Sequence, residues 1–288
     1  MRNIEFLHLR DKFVQIVIEE LGRTPNDFCE SLDLIRRPSN DGELWLAAGV
    51  LLPLFFKPFS NKGGGGEFVL KLIKRSSEVV QSGDIGCPGG MFHKYADPLI
   101  RRVLVTGFPP VLQGNAMAYA KRRGPLAFHN ISLFLANAVR ESWEELRISP
   151  FNLQFLGPLP CRPLLSFTKI IFPLAGFLKR DWQPKPNREV EKILDLPLKD
   201  FFNKDNYALY TIESDLKFRD GVEGIRNFPC FIVKNGKGKE DILWGATFSI
   251  VLSFLKIVFD FEPPDPDEKR KTIKALSTDY LRGNRMKQ

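Results

Sequence analysis

Arg140 is followed by three glutamates, Glu141, Glu144 and Glu145, at i, i+3 and i+4 spacing. On a helix that spacing gathers the carboxylates on one stripe roughly 100° wide. Like charges so placed destabilise an isolated helix by about 0.2–0.5 kcal/mol per pair. Arg140 and Arg147 lie near the stripe but off its centre. A hard divalent cation compensates better, because magnesium takes carboxylate oxygens together with waters and substrate phosphates. The chemistry open to this set is metal-ion catalysis. The plainer alternative is an acidic, solvated helix face, which the helix by itself does not exclude.

Other residues bear on the question less directly. Gly63-Gly64-Gly65-Gly66 lacks the Gly-Lys-Ser/Thr ending of a phosphate loop and reads as a hairpin connection. Gly83 to Gly90 is a second glycine-rich loop. Lys74 and Arg75 stand just before it and could reach a terminal phosphate, or be ordinary exposed strand ends. His93 and His129 read as structural or solvated. Cys29, Cys87, Cys161 and Cys230 show no metal-ligand spacing and read as reduced thiols.

Positioning the glutamates requires a helix, with Asn130 or Ser132 as the expected cap and an end near Leu146. Leu135, Ala138, Val139, Ser142 and Leu146 then share the stripe that faces the core. Residues 97–129 read as an insertion with turns at Pro109-Pro110, Gly114-Asn115 and Gly124-Pro125. Arg101-Arg102 and Lys121-Arg122-Arg123 make it basic. Residues 5–22 read as an amphipathic helix through Phe13, Ile16, Val17 and Leu21. Ala47 to Phe56 reads as a buried strand that Pro53 assigns to an edge or a bulge, with Glu67 to Ile73 as its partner. Further strands are expected at 153–156, 168–177, 231–233 and 242–244, and a short helix or turn at 187–194. An apolar helix is expected over 247–259, and the charged tail, 265–288, reads as helix or disorder.

Bulk properties narrow the class. Of 288 residues, 43% are hydrophobic and 26% charged, ordinary for a soluble globular chain. The 25 phenylalanines, against 5 tyrosines, predict a Phe-rich core. A net charge of +8 favours acidic partners. The apolar runs at 46–56 and 246–255 are too short to span a bilayer, and the first ten residues lack an apolar signal core. A cytoplasmic protein with no membrane partner is the expectation.

Arg140-Glu141-x-x-Glu144-Glu145 resembles the second half of the Nudix box, and Pro88-Gly89-Gly90 resembles the loop that opens it. The likeness continues outside the box. Residues 74–90 resemble the motif upstream of the box in the coenzyme A diphosphatase branch of the Nudix superfamily. Downstream, 155–159, 172–176, 186–190, 196–198 and 242–247 resemble that branch's later segments in order and rough spacing. The likeness runs from about residue 47 to 256.

The resemblance implies an α/β fold, a Nudix α/β/α sandwich with a mixed sheet. It implies Mg2+ or Mn2+ held by the Gly89 carbonyl, Glu141, Glu144 and Glu145. Arg140 would orient a carboxylate, and Glu189 would add a further carboxylate as ligand or base. Glu189 also has the plainer reading of a solvated helix-start carboxylate. Lys74, Arg75, Gly83, Pro88 and Gly90 are the substrate-side candidates, with Glu141, Glu145, Arg140 and Glu189 as the catalytic ones. The implied reaction is hydrolysis of a diphosphate bond in a nucleoside diphosphate derivative, coenzyme A or a relative. The partner is then a small-molecule diphosphate. Nucleic acid is not favoured, and a homodimer is left open. A degenerate Nudix fold that binds a nucleotide or RNA without catalysis is the alternative.

Three positions depart from the pattern. Arg140 lies 50 residues after Gly90, where the box places its Arg 14 after its Gly, an excess of 36. The first Glu of the box would fall at Ala96, and the adjacent Asp97 is the candidate substitute for it. The intervening insertion is expected to be a lid or a recognition element. Arg147 replaces the terminal Gly, so either a left-handed Arg or a helix end at Ser149-Pro150 is expected. Val79 and Cys87 replace an Arg and a Phe of the upstream motif. The division expected is an N-terminal helical extension (1–40), a Nudix domain (41–262) with its insertion at about 97–130, and a charged tail (263–288).

Overall fold

The computed structural model describes residues 2–35, 45–59, 65–164, 168–214, 224–234 and 240–276. Its centre is β1 (Leu46–Pro58), a nearly continuous apolar run buried along most of its length, as a strand covered on both faces requires. β1 runs antiparallel to β2 (Gly66–Arg75) on one side and parallel to β7 (Lys169–Leu178) on the other. β3 (Ile85–Gly86) pairs β2, and β4 (Gly89–Met91) pairs β1. β5 (Leu153–Pro158) and β6 (Arg162–Leu164) pair β7, and β8 (Val190–Pro197) pairs β2. The sheet is therefore mixed.

Helices cover both faces. On one, Phe134 of α5 (Pro125–Leu146) stacks on Phe172 of β7, with ring centroids 3.7 Å apart. Phe28 of α2 (Phe28–Ile35) meets Phe172 edge-on at 5.1 Å. On the other face, Phe13 of α1 (Arg10–Arg23) lies 4.6 Å from Phe68 of β2. Phe13 also lies 5.5 Å from Phe259 of α6 (Gly245–Phe259). The result is an α/β/α sandwich with a mixed sheet, the architecture that the resemblance implied. Its core is built on phenylalanine, as the composition predicted, and Phe13, Phe28, Phe68, Phe134, Phe155 and Phe172 are among its largest fully buried side chains. Each buries a large apolar surface at the cost of two rotatable bonds.

A second sheet holds β9 (Tyr207–Ser214), β10 (Gly224–Lys234), β11 (Glu240–Leu243) and β12 (Asp267–Leu276), in the order β11-β10-β9-β12. Lys74 of β2 ties it to the first sheet through Asp241 of β11 at 3.2 Å, and the Trp244 indole N–H, just after β11, donates to Asp84, just before β3, at 3.3 Å.

Several local expectations changed. Pro53 sits at no edge. β1 pairs β4 through Val50 and β2 from Leu54 onward, so the missing N–H falls between the two ladders. The insertion is largely helical, with α3 (Ala96–Leu104) and α4 (Gly114–Arg122) before α5. α5 starts at Pro125, earlier than expected, because Gly124 at φ 94° turns the chain and Pro is tolerated in the first turn. Neither Asn130 nor Ser132 is its cap, and both are buried. Residues 190–197 form a strand, with the expected turn confined to Asn187–Glu189, where Asn187 accepts the Glu189 N–H at 2.9 Å. Residues 267–276 form a strand paired to β9, while 277–288 lie outside the described residues, as do Gly63 and Gly64 of the 63–66 glycine run.

Arg147 takes the left-handed conformation, φ 58° and ψ 34°, and its N–H bonds the Trp143 carbonyl at 2.9 Å. Ile148 N–H reaches back to the Ser142 carbonyl at 3.3 Å. A helix end that glycine usually makes is thus made by arginine. An L side chain there costs about 1 kcal/mol, offset in part by the Arg147 guanidinium over the Trp143 ring at 5.4 Å. Arg147→Gly should raise the melting temperature by roughly 2–4 °C, read by differential scanning calorimetry. A lower melting temperature would show that the ring contact outweighs the strain.

Candidate functional site

The site is assembled where β4 meets α5. β4 lies antiparallel on β1, with Gly90 opposite Gly49 and Gly89 opposite Val50. Neither glycine has room for a side chain. A Cβ on Gly89, which sits at φ +152°, would fall 2.5 Å from the Gly49 carbonyl oxygen. A Cβ on Gly90 would fall 2.5–2.7 Å from the Glu141 carboxylate. The loop therefore rests directly on the helix. Asn137 holds the same junction from inside the apolar stripe. Its Oδ1 accepts the Gly49 N–H at 2.5 Å, and its Nδ2 donates to the Met91 carbonyl at 3.2 Å.

Arg140 is the hub. Its Nε donates to Asp97 Oδ1 at 2.7 Å, and its guanidinium reaches Asp97 Oδ2 at 3.3 Å and the Met91 carbonyl at 3.0 Å. It also pairs with Glu141 at 2.9 Å and Glu144 at 3.1 Å. Asp97 is fully buried and also accepts the His93 N–H at 2.7 Å. Burial alone would lower the Arg140 pKa, but Asp97, Glu141 and Glu144 together push it above the usual guanidinium range. The long segment between Met91 and Arg140 thus separates in sequence what the fold joins in space. The chain after β4 enters α3 at Asp97, passes through α4, and returns in α5 to the same point.

The insertion is anchored to the body. Arg101 donates to Ser132 Oγ at 2.7 Å. Arg123 donates to the Leu21 and Gly22 carbonyls at 2.8 and 2.9 Å, satisfying acceptors left over at the end of α1.

Glu145 is nearly buried and accepts the Gly89 N–H at 2.9 Å. Burial pushes its carboxyl up to about 8; Glu141 and Glu189 add to the rise, while the Gly89 N–H and Arg75 oppose it. Burial raises Glu141 as well. Glu144 stands at the exposed rim. The free carbonyls at the end of α5 explain how Glu189 comes near. Trp182 Nε1 donates to the Leu146 carbonyl at 3.2 Å, and Asn187 N–H to the Glu145 carbonyl at 3.0 Å. The following residues are pinned to the end of β2 by Ser76, whose N–H bonds the Glu189 carbonyl at 2.9 Å.

The structure thus brings together Gly89, Gly90, Arg140, Glu141, Glu144 and Glu145, with Arg75 and Glu189 close enough to act on Glu145. Pro88 shapes the loop by accepting the Leu51 N–H at 2.8 Å, and Gly83, at φ 79°, closes the turn before it. Lys74 is engaged elsewhere, with Glu191 and Asp241, each at 3.2 Å. Cys87 lies buried near Glu145, and burial pushes its thiol up to about 12, so it stays neutral. Arg140 holds Glu141 and Glu144 while the Gly89 N–H holds Glu145. Among the described residues no group of three or more His, Cys, Asp or Glu side chains is gathered into a metal cage. Asn137 was not singled out by the sequence, whereas Asp97 was, as the substitute for the first Glu of the pattern, without its partner Arg140 being named. A buried Asn between Ala136 and Ala138, on a core-facing helix three residues before Arg140, was the available signal.

No protein-family model and no curated protein matches this chain. Solved structures match parts of it. A Nudix hydrolase from M. smegmatis, RenU, is 14% identical with a TM-score of 0.34, covering 55% of this chain and 76% of that one. A C. elegans Ap4A hydrolase binary complex is 12% identical with a TM-score of 0.33, over 54% and 82%. The NUDIX domain of Shewanella oneidensis NrtR, complexed with ADP ribose, is 12% identical with a TM-score of 0.32, over 59% and 84%. At this level a likeness decides neither family nor activity.

Two outcomes follow from the geometry. Asp97→Ala leaves Arg140 without its buried partner and should cost about 3 kcal/mol in chemical denaturation; a cost under about 1 kcal/mol would mean that Glu141 and Glu144 suffice. Glu145 is protonated more readily folded than unfolded, so its stabilising contribution is complete below about pH 4.5 and is lost as pH rises to about 8. In chelator, the melting temperature should therefore fall across that window. Glu145→Gln, which keeps an acceptor for the Gly89 N–H, should flatten the fall; an unchanged slope would assign it to other groups.

Proposed function

We propose that this chain is a Nudix-type hydrolase that splits a diphosphate bond in a nucleoside diphosphate derivative, coenzyme A or a related compound. The observation that carries the reading is the closure of the interrupted box. Asp97 and Arg140 lie 43 residues apart in sequence and meet at 2.7 Å, with Gly89 and Gly90 seated on Glu145 and Glu141. Membership of the Nudix superfamily is part of the same proposal.

The donor chemistry fits Mg2+ or Mn2+. Glu141, Glu144, Glu145 and the Gly89 carbonyl offer only oxygen, which suits a hard cation. Burial raises the proton affinity of Glu145, and Glu141 and Glu189 add to the rise, so a cation there would relieve the cost of the ionised form. When bound, such a cation would neutralise the diphosphate and lower the pKa of an attached water. The chain's own groups have separate tasks. Arg140 orients Glu141 and Glu144 through charge-assisted hydrogen bonds. The Gly89 N–H fixes Glu145, Arg75 attracts a substrate phosphate, and Glu189 supplies a further carboxylate as ligand or base. The engagement of Lys74 with Glu191 and Asp241 leaves Arg75 as the better phosphate contact of the two.

The competing reading is a degenerate fold that binds a nucleotide or RNA without catalysis. It draws on Arg140, which already compensates two of the three glutamates. A substrate panel with magnesium decides between them, using coenzyme A, a dinucleotide and a nucleotide sugar with product analysis. Hydrolysis of one member is expected, reduced roughly a hundredfold or more by Glu145→Gln. Equal rates would defeat the metal assignment. Tight binding in chelator without hydrolysis would establish the binding module instead.

A further inference from the structure

The insertion does more than deliver Asp97 to Arg140. From Pro98 to Arg140 the chain contains no Asp or Glu, while Arg101, Arg102, Lys121, Arg122 and Arg123 are all basic. Arg101 and Arg123 are used internally. Arg102, Lys121 and Arg122 are exposed. The same segment exposes apolar side chains. Tyr95, Leu99 and Val103 follow one another at i, i+4 and i+8, which sets them on one face of α3, and they are 72%, 61% and 45% exposed. Phe108 and Leu126, elsewhere on the insertion, are 65% and 64% exposed.

We propose that the outer face of α3, with Tyr95, Leu99 and Val103 beside Arg102, docks on an anionic lipid surface. Charge complementarity selects the partner's sign, since residues 98–140 carry cations and no Asp or Glu, and the adjoining Asp97 is buried. The apolar stripe selects its kind. Leu99 and Val103 add nothing to the binding of a polyphosphate backbone, but aliphatic side chains beside arginines are what an interfacial helix lays into the boundary between headgroups and acyl chains. The high exposure separates lipid from peptide. Side chains lining a peptide groove are partly covered by its walls, whereas these project, and a membrane accepts projecting residues without a matching groove. Among the described residues no helix is long and apolar enough to cross a membrane, and a surface contact needs none. The expectation of no membrane partner rested on the absence of spanning runs and did not address this face.

The full chain is to be floated with vesicles of phosphatidylcholine alone and of phosphatidylcholine with 30% phosphatidylserine. Flotation with the anionic vesicles only, weakened by salt, is expected. Arg102→Gln should weaken the partition about fivefold, and Leu99→Ser at least about tenfold. Both positions are exposed, so the melting temperature should stay unchanged, which separates loss of docking from loss of fold. No flotation, or equal flotation by Leu99→Ser, overturns the proposal. Binding to single-stranded RNA that Arg102→Gln weakens and Leu99→Ser does not would also overturn it, in favour of a nucleic-acid face.

Discussion

The buried pair between Arg140 and Asp97 is the interaction on which the rest of the site depends. A guanidinium taken out of water must be paired and hydrogen-bonded, or its desolvation is uncompensated. Asp97 is fully buried, so each group commits the other. Around that pair Arg140 collects Glu141, Glu144 and the Met91 carbonyl, and so fixes three chain segments at once: the end of β4, the start of α3 and the middle of α5. The strength is local, but the consequence is topological. A long excursion of the chain is forced to begin and end at one point.

Such an excursion is inexpensive in closure entropy, which grows only with the logarithm of loop length. Here the cost is also met by packing. α3 and α4 bury Leu104, Ala116 and Ala120, and Arg123 satisfies the free carbonyls of α1. The insertion thus joins the same core as the first helix. The N-terminal helices belong to that core too, through Phe13 and Phe28.

The glutamates show the opposite balance. Glu145 is held by one backbone N–H and crowded by other carboxylates, and burial favours its neutral form. A site that concentrates negative charge in a protein interior stores instability that a cation, or a proton, relieves. Perturbation of this kind clusters at functional positions, although ion-pair networks also produce it. The same helix face carries both: Arg140 neutralises its outer side, and the inner side at Glu145 is left short of positive charge.

Much of this was legible in the residues. The apolar run of β1, the periodicity of α1 and the phenylalanine content predicted a Phe-filled core, because burial patterns are local properties of the chain. The spacing of Glu141, Glu144 and Glu145 fixed their common face for the same reason. What the sequence could not state was which distant groups would answer those charges. Asp97 was legible as a substitute for the first Glu of the pattern, but nothing local reveals that a carboxylate 43 residues away will enter a guanidinium's first contacts. Pro53 read as an edge or a bulge, and only the handover between two partner strands explains its place at the centre of the sheet. Lys74 and Arg75 are adjacent and alike in charge, yet Lys74 pairs with Glu191 and Asp241 while Arg75 acts on Glu145. The sequence by itself determined which side chains share a helix face or a strand, since backbone geometry repeats over a few residues. Only the tertiary structure decided which charges meet, since that depends on contacts between segments far apart in the chain.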